Sequence, residues 1–284
     1  MPQRAALLIL TLILLAPGPV VSFVQAQRTP SQGQKTHAAP VKPVTPQATI
    51  GPVSHIRPTP ENYKFPNGQT LHYNAEWRLW NAGTASLKME ASGTEQHVIG
   101  TADSVGVVAL LYRVADRFDS YFDRKTFCSS HISKHSEEGR HLRDTSIRFD
   151  YPRKLAVLDE RNLKTGEMKH TEESIPGCVS DVLSAIYYVS SLPLDPGTTY
   201  TFPLNDGGKT VEVKAHVEAR EEVKTEAGTF STIRVQPEGD TGVLKSRGKV
   251  WVWYTDDAAH TPVQMRARLF WGTLTFRLNR IERQ

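Results

Sequence analysis

From residue 70 to 80 the chain alternates: Leu71, Tyr73, Ala75, Trp77 and Leu79 are apolar, while His72, Asn74, Glu76 and Arg78 are polar. A period of two belongs to a strand with one buried face. Asn81, Ala82 and Gly83 read as a turn, and Ala85, Leu87, Met89 and Ala91 then repeat the alternation, so the two runs predict an antiparallel hairpin. Near the C-terminus Val263, Met265, Ala267, Leu269 and Trp271 alternate with Gln264, Arg266 and Arg268; Leu274, Phe276 and Leu278 continue beyond a turn at Gly272. Turn signals at Lys164-Thr165-Gly166, Asp206-Gly207-Gly208 and Ala227-Gly228 divide the middle into further strands in meander order. The convincing helical period is in residues 179–190, where Val179, Val182, Leu183, Ile186, Tyr187 and Val189 or Ser190 recur behind Ser180 as a cap. A second short turn of helix is expected over residues 106–112.

These elements predict a mainly β domain: a strongly curved antiparallel sheet, spiral or incomplete barrel, with one helix packed in the concavity. The helix must bury its apolar stripe, and the curved sheet is the large apolar surface on offer. Residues 61–284 are enough for one sizeable core.

Upstream the pattern changes. Arg4 followed by the apolar run 5–16 reads as a secretory signal, too short for an ordinary membrane span, with Val24-Gln25-Ala26 as the cleavage site. The alternative is an uncleaved anchor over residues 5–24, which requires Pro17 and Pro19 to be tolerated within it. Gln27 follows the expected cut, so no lipidated cysteine is expected there. Residues 27–60, rich in Pro, Gln, Thr and Ala, read as a disordered linker. All 30 acidic residues lie beyond it, so the linker carries Arg28, Lys35, Lys42 and Arg57 without counter-charges, and the rest of the chain is close to neutral. At most this basic stretch touches an anionic membrane surface peripherally; nothing supports nucleic-acid binding. In an exported chain the two cysteines, Cys128 and Cys178, are expected to pair.

Catalytic templates find no match: there is no GxSxG elbow, no HExxH and no phosphate-cradling glycine loop. His131, His135 and His141 lie in a highly polar stretch and read as solvent-facing rather than as metal ligands. Asp116, Asp119 and Asp123 read as ion-pair partners of Arg117 and Arg124 rather than as an acid/base pair. Asp181 falls in the first turn of the helix and suits a cap, with a place in the ligand-binding site as the alternative. No cofactor is expected. The aromatic residues carry the better functional hint. Trp251 and Trp253 share one face of a strand whose other face holds Val250, Val252 and Tyr254. One of these faces is expected to line a pocket, joined by Trp77, Tyr187, Tyr188, Phe270 and Trp271, with simple core packing as the alternative.

Several segments in order resemble one exported bacterial family: residues 68–73 (GQTLHY), 80–85 (WNAGTA), 111–116 (LYRVAD), Ile175-Pro176, 181–188 (DVLSAIYY) and 249–253 (KVWVW). The set is similar to the domain of unknown function 3108 and covers residue 61 onward. The resemblance implies a β-rich periplasmic or envelope fold without an assigned activity. One departure stands out: an arginine-bearing stretch often follows the paired tyrosines in that family, whereas Val189-Ser190-Ser191-Leu192 follows here, so no arginine role carries over. Three function classes remain: an envelope binding or maintenance module with a lipid-like or glycan-like ligand, a hydrolase or transferase using Asp or His near the helix, and a structural partner of other envelope proteins.

Overall fold

A computed structural model of the chain describes residues 55–284 apart from 78–79, 208, 240–247 and 270–271. The expected signal, its cleavage site, most of the linker, Phe270 and Trp271 lie outside the described residues.

Eight strands run as a meander: β1 (Gln69–Trp77), β2 (Trp80–Ser92), β3 (Glu95–Ser104), β4 (Val114–Asp123), β5 (Ser129–Glu138), β6 (His141–Asp150), β7 (Leu155–Asn162) and β8 (Met168–Ser174). A short helix α1 (Gly106–Leu111) joins β3 to β4, and a longer one, α2 (Val182–Ser190), follows β8. Six more strands form a second meander: β9 (Thr199–Asn205), β10 (Thr210–Thr225), β11 (Gly228–Gly239), β12 (Lys249–Thr255), β13 (Pro262–Leu269) and β14 (Gly272–Arg283). β14 pairs with β1, so the two meanders fuse into one antiparallel sheet of fourteen strands with β8 and β9 at its edges.

The sheet curls until those edges approach but do not pair. The connector before α2 fills the gap: Ser180 N donates to Pro203 O, Asn205 N donates to Ser180 O, and Thr210 N donates to the Glu173 carboxylate. The β9 edge is thereby paired with the connector rather than left to recruit another chain. Alternation sets the inner wall as expected, with Leu71, Tyr73, Ala85, Leu87, Met89, Phe118, Phe276 and Leu278 buried. α2 lies in the concavity and contributes Leu183, Ala185, Tyr187, Tyr188 and Val189 to the same core. The expected mainly β, curved, incomplete barrel with a helix inside is the observed fold.

Three details differ from the sequence reading. Gly83 is not in a turn; it lies inside β2, where a Cβ would sit 2.2 Å from Asp103 O, so glycine serves the close approach of β3. The helix starts at Val182, because Val179 is taken into a smaller core with Ile132, Ile147, Phe149 and Ile175. Residues 55–60, which composition placed in the linker, are docked on the domain: Ile56 is buried, Arg57 N donates to Tyr188 Oη, and Thr59 N donates to Lys125 O.

Cys128 and Cys178 form a disulfide, tying the β4–β5 loop to the segment entering α2 across 50 residues. Closing a loop of that length restricts the unfolded chain by about 4 kcal/mol in the chain-entropy account.

Candidate functional site

α2 crosses the interior toward one end of the barrel, and both of its ends are satisfied there by side chains from the wall. At its start Asp181 caps the helix: Oδ1 accepts from Leu183 N and Ser184 N, while Oδ2 accepts from Ser120 Oγ and Ser129 Oγ at 2.6 Å each. Ser184 Oγ accepts from Asp181 N in return, completing a capping box. At the other end Tyr254 Oη donates to Ile186 O, and His260 Nδ1 donates to Ser190 O. His260 holds a left-handed backbone (φ 40°), a conformation histidine tolerates better than most residues. Tyr63 Oη is 2.7 Å from Ser190 Oγ, which donates to Tyr187 O. Burial raises the Tyr73, Tyr187 and Tyr254 phenols, so all three stay neutral.

The helix closes one end without filling the barrel. Between it and the wall lies a cavity of about 170 Å³. Val182, Leu183, Ile186 and Val189 form its floor, and Val213, Val250, Val252, Met265, Ala267 and Phe276 are among the apolar wall residues. It extends to the opposite rim, where Asp206, Pro237, Gly248 and Leu269 line it. Gly248 is exposed, so the cavity meets solvent there.

The residues singled out from sequence do not converge on this space. On β12 the assignment of faces is the reverse of an aromatic pocket: Val250, Val252 and Tyr254 line the cavity, and Trp251 and Trp253 lie on the outer face. There Trp253 Nε1 donates to Glu221 at 2.6 Å, and the Arg266 guanidinium sits 5.1 Å from its ring centre. β12 is apolar on both sides because long side chains from β10, β11 and β13 cover its outer one. Tyr187 and Tyr188 are buried but do not line the cavity. Tyr188 packs edge-on against Phe127 and Phe202, not against tryptophan. Trp77 lies half-buried at the rim, opposite Trp80 and Leu274. Asp181 is fully engaged as a cap.

Among the described residues no group of three or more His, Cys, Asp or Glu is arranged to hold a metal. His131 stacks on Tyr121, and His135 pairs with Asp144. Asp119 pairs with Arg117 and His97, and Asp123 holds the Lys125–Thr126 turn.

Asp116 breaks the expectation of exposed ion pairs. It faces inward beside Lys134 and Glu138, with Ser136 as its cross-strand neighbour. Burial pushes its carboxyl up to about 7, opposed by the Lys134 charge and reinforced by Glu138. Its Oδ1 accepts from Glu137 N; Oδ2 accepts no hydrogen bond, which suits a protonated oxygen donating toward Glu138. Burial also raises Glu138 and lowers Lys134, whose ammonium lies 3.5 Å from Glu138 and 4.9 Å from the centre of the Phe118 ring. Phe118 lines the cavity, so this polar cluster sits just behind its wall. The sequence hid it, since Lys134 and Glu138 occupy the inward positions of a strand that reads as polar throughout.

The sequence model of the protein family of unknown function DUF3108 matches residues 72–279. The chain belongs to this family. No curated protein matches it. Among solved structures it resembles a β-barrel-like protein of domain of unknown function DUF1849 from Brucella abortus, with a TM-score of 0.54 at 8% identity, over 78% of this chain and 99% of that one. A protein from Bacteroides fragilis described as exported and YmcC-like in fold is similar over 77% and 98% of the two chains, at 9% identity and a TM-score of 0.35. The first likeness places this DUF3108 member among β-barrel-like folds and says nothing of its chemistry.

Two outcomes follow from the geometry. Asp181→Ala removes a helix cap and leaves the buried Ser120 hydroxyl without its acceptor, and is expected to lower unfolding free energy by about 3 kcal/mol in urea titration; a change below about 0.5 kcal/mol would contradict the capping role. Asp116 binds its proton more tightly folded than unfolded, so its contribution to stability falls as pH rises from about 4 to about 7. Asp116→Asn should flatten that slope in melting temperature between pH ~4 and ~7, and an unchanged slope would assign it elsewhere.

Proposed function

We propose that this protein is an exported cell-envelope module that holds an apolar chain, such as the acyl end of a lipid, in the cup between α2 and the barrel wall. The observation that carries this reading is the cavity itself. It offers water almost no hydrogen-bonding partners, and a water needs two to four. Val182 and Ile186 at its floor and Val250 and Met265 in its wall remain only partly buried, as side chains facing such a space do. Its volume is comparable to that of engineered apolar cavities of about 150 Å³ that take up benzene, so it suits a segment of chain rather than a whole lipid. The remainder of the ligand would pass through the open rim.

Export is supported by the signal-like N-terminus with Arg4 and the apolar run 5–16, and by the Cys128–Cys178 bond, which persists in oxidising compartments. No described helix is long and apolar enough to cross a membrane.

Burying a methylene contributes about 0.8 kcal/mol, close to a fourfold gain in affinity per carbon. Delipidated protein titrated with straight-chain fatty acids of increasing length should show that gain until the cavity is full, then a plateau. Val250→Trp, which fills the space from a half-buried wall position, should abolish the series while leaving the melting temperature close to that of the parent. Affinity independent of chain length, or unaltered by Val250→Trp in a folded protein, would overturn the reading.

A further inference from the structure

Of the large apolar side chains that the described structure leaves exposed, all but Ile281, which is 36% exposed at the opposite rim, lie along one rim. Trp80 is 76% exposed, and Val107, Leu110 and Leu111 on α1 are 71%, 86% and 81% exposed. α1 folds back on β2, with Val105 N donating to Ala82 O, so these four exposed residues share one stretch of the rim. Strand polarity fixes where it is. The end of β1, the start of β2, the end of β3, the start of β4, the end of β11, the start of β12 and the end of β13 all lie at the same rim. That is the rim the cavity reaches at Pro237, Gly248 and Leu269. Met168, 63% exposed at the start of β8, lies on it as well.

The same rim is rich in cations. Its exposed charges among the described residues include Arg113, Arg140, Arg161, Lys164, Lys169, Lys209, Lys249 and Arg268, against Asp103, Glu167, Glu212 and Glu238, with Arg113 paired to Glu137. Apolar side chains that project from a ring of cations suit a surface that is anionic outside and apolar beneath. An anionic bilayer has that layering: headgroup charge attracts Lys and Arg, and Trp and Leu enter the interface. A protein partner would favour a flatter patch depleted of charge at its centre.

We propose that this rim docks the protein on an anionic membrane surface, with Trp80, Val107, Leu110 and Leu111 inserted and the cavity mouth turned toward the lipid. The proposal rests on the acyl-chain reading for its purpose and on the rim alone for its geometry. In this arrangement an acyl chain passes between bilayer and cup without crossing water.

The test is co-sedimentation of protein purified from the envelope of expressing cells with phosphatidylglycerol/phosphatidylethanolamine vesicles or phosphatidylcholine vesicles. The expected result is sedimentation with the anionic vesicles, reduced at least tenfold in phosphatidylcholine and in 0.5 M salt. Leu110→Ser with Leu111→Ser should reduce it at least tenfold, and so should Arg140→Glu with Lys249→Glu; all four positions are exposed, so folding is spared. Sedimentation unaffected by either double variant would assign binding to the basic N-terminal stretch and overturn the proposal. Indifference to both vesicle types would overturn it too, in favour of a protein partner. Val250→Trp separates the two readings: it should keep vesicle binding while losing fatty-acid binding, and intact docking without fatty-acid binding in the parent would overturn the cup reading alone.

Discussion

A helix buried inside a barrel must satisfy the peptide groups at its two ends without water, and the rest of this structure depends on how that is done. Unpaired N–H and C=O groups in an apolar interior cost far more than one cap contributes on a surface. Here the helix's own caps and the wall together supply the partners. Asp181, supported by Ser120 and Ser129, takes the N-terminus, and Tyr254, Ser190 and His260 take the C-terminal carbonyls. The disulfide and the Ser180 connector tie the chain just before the helix to the β4–β5 loop and to the β9 edge. Because both ends are fixed, α2 acts as a rigid floor instead of sinking until its stripe is fully covered. The cavity is the consequence: apolar surface the helix could reach only by abandoning its caps.

That constraint also divides the barrel. Toward the disulfide the interior is filled by aromatic packing of Phe65, Phe122, Phe127 and Tyr188. Toward the opposite rim the walls are apolar but unfilled on the β9–β14 side, and polar on the β4–β7 side, where Asp116, Lys134 and Glu138 share a buried network. A half-filled interior with a charged wall beside an apolar one has the polarity of an amphiphile. Exposed hydrophobic side chains lie at the same rim.

Much of the architecture was legible because β alternation is local: inward and outward sets read directly from parity along β1, β2, β13 and β14. The pairing of Cys128 with Cys178 needed only a count and a compartment. The site was less legible, for identifiable physical reasons. Parity alone does not say which side of a doubly apolar strand is inside, so Trp251 and Trp253 drew attention that belonged to Val250, Val252 and Tyr254. Aromatic residues suggested a pocket, yet Tyr187 and Tyr188 are spent on packing and the cavity wall is aliphatic. Gly83 looked like a turn because a glycine demanded by the close approach of a neighbouring strand has no signature of its own. The buried Asp116 network was hidden because lysine and glutamate in a polar strand predict solvent. Export and the N-terminal segments belong to residues outside those described.

The proposal stands or falls on whether an apolar chain enters the space above α2. The direct measurement is a crystal structure of the protein with a fatty acid brominated at its terminal carbon, read by bromine anomalous scattering. A bromine peak between Ile186 and Val250 is expected. A peak on the outer face beside Trp253, or none inside the barrel at saturating ligand, would contradict it.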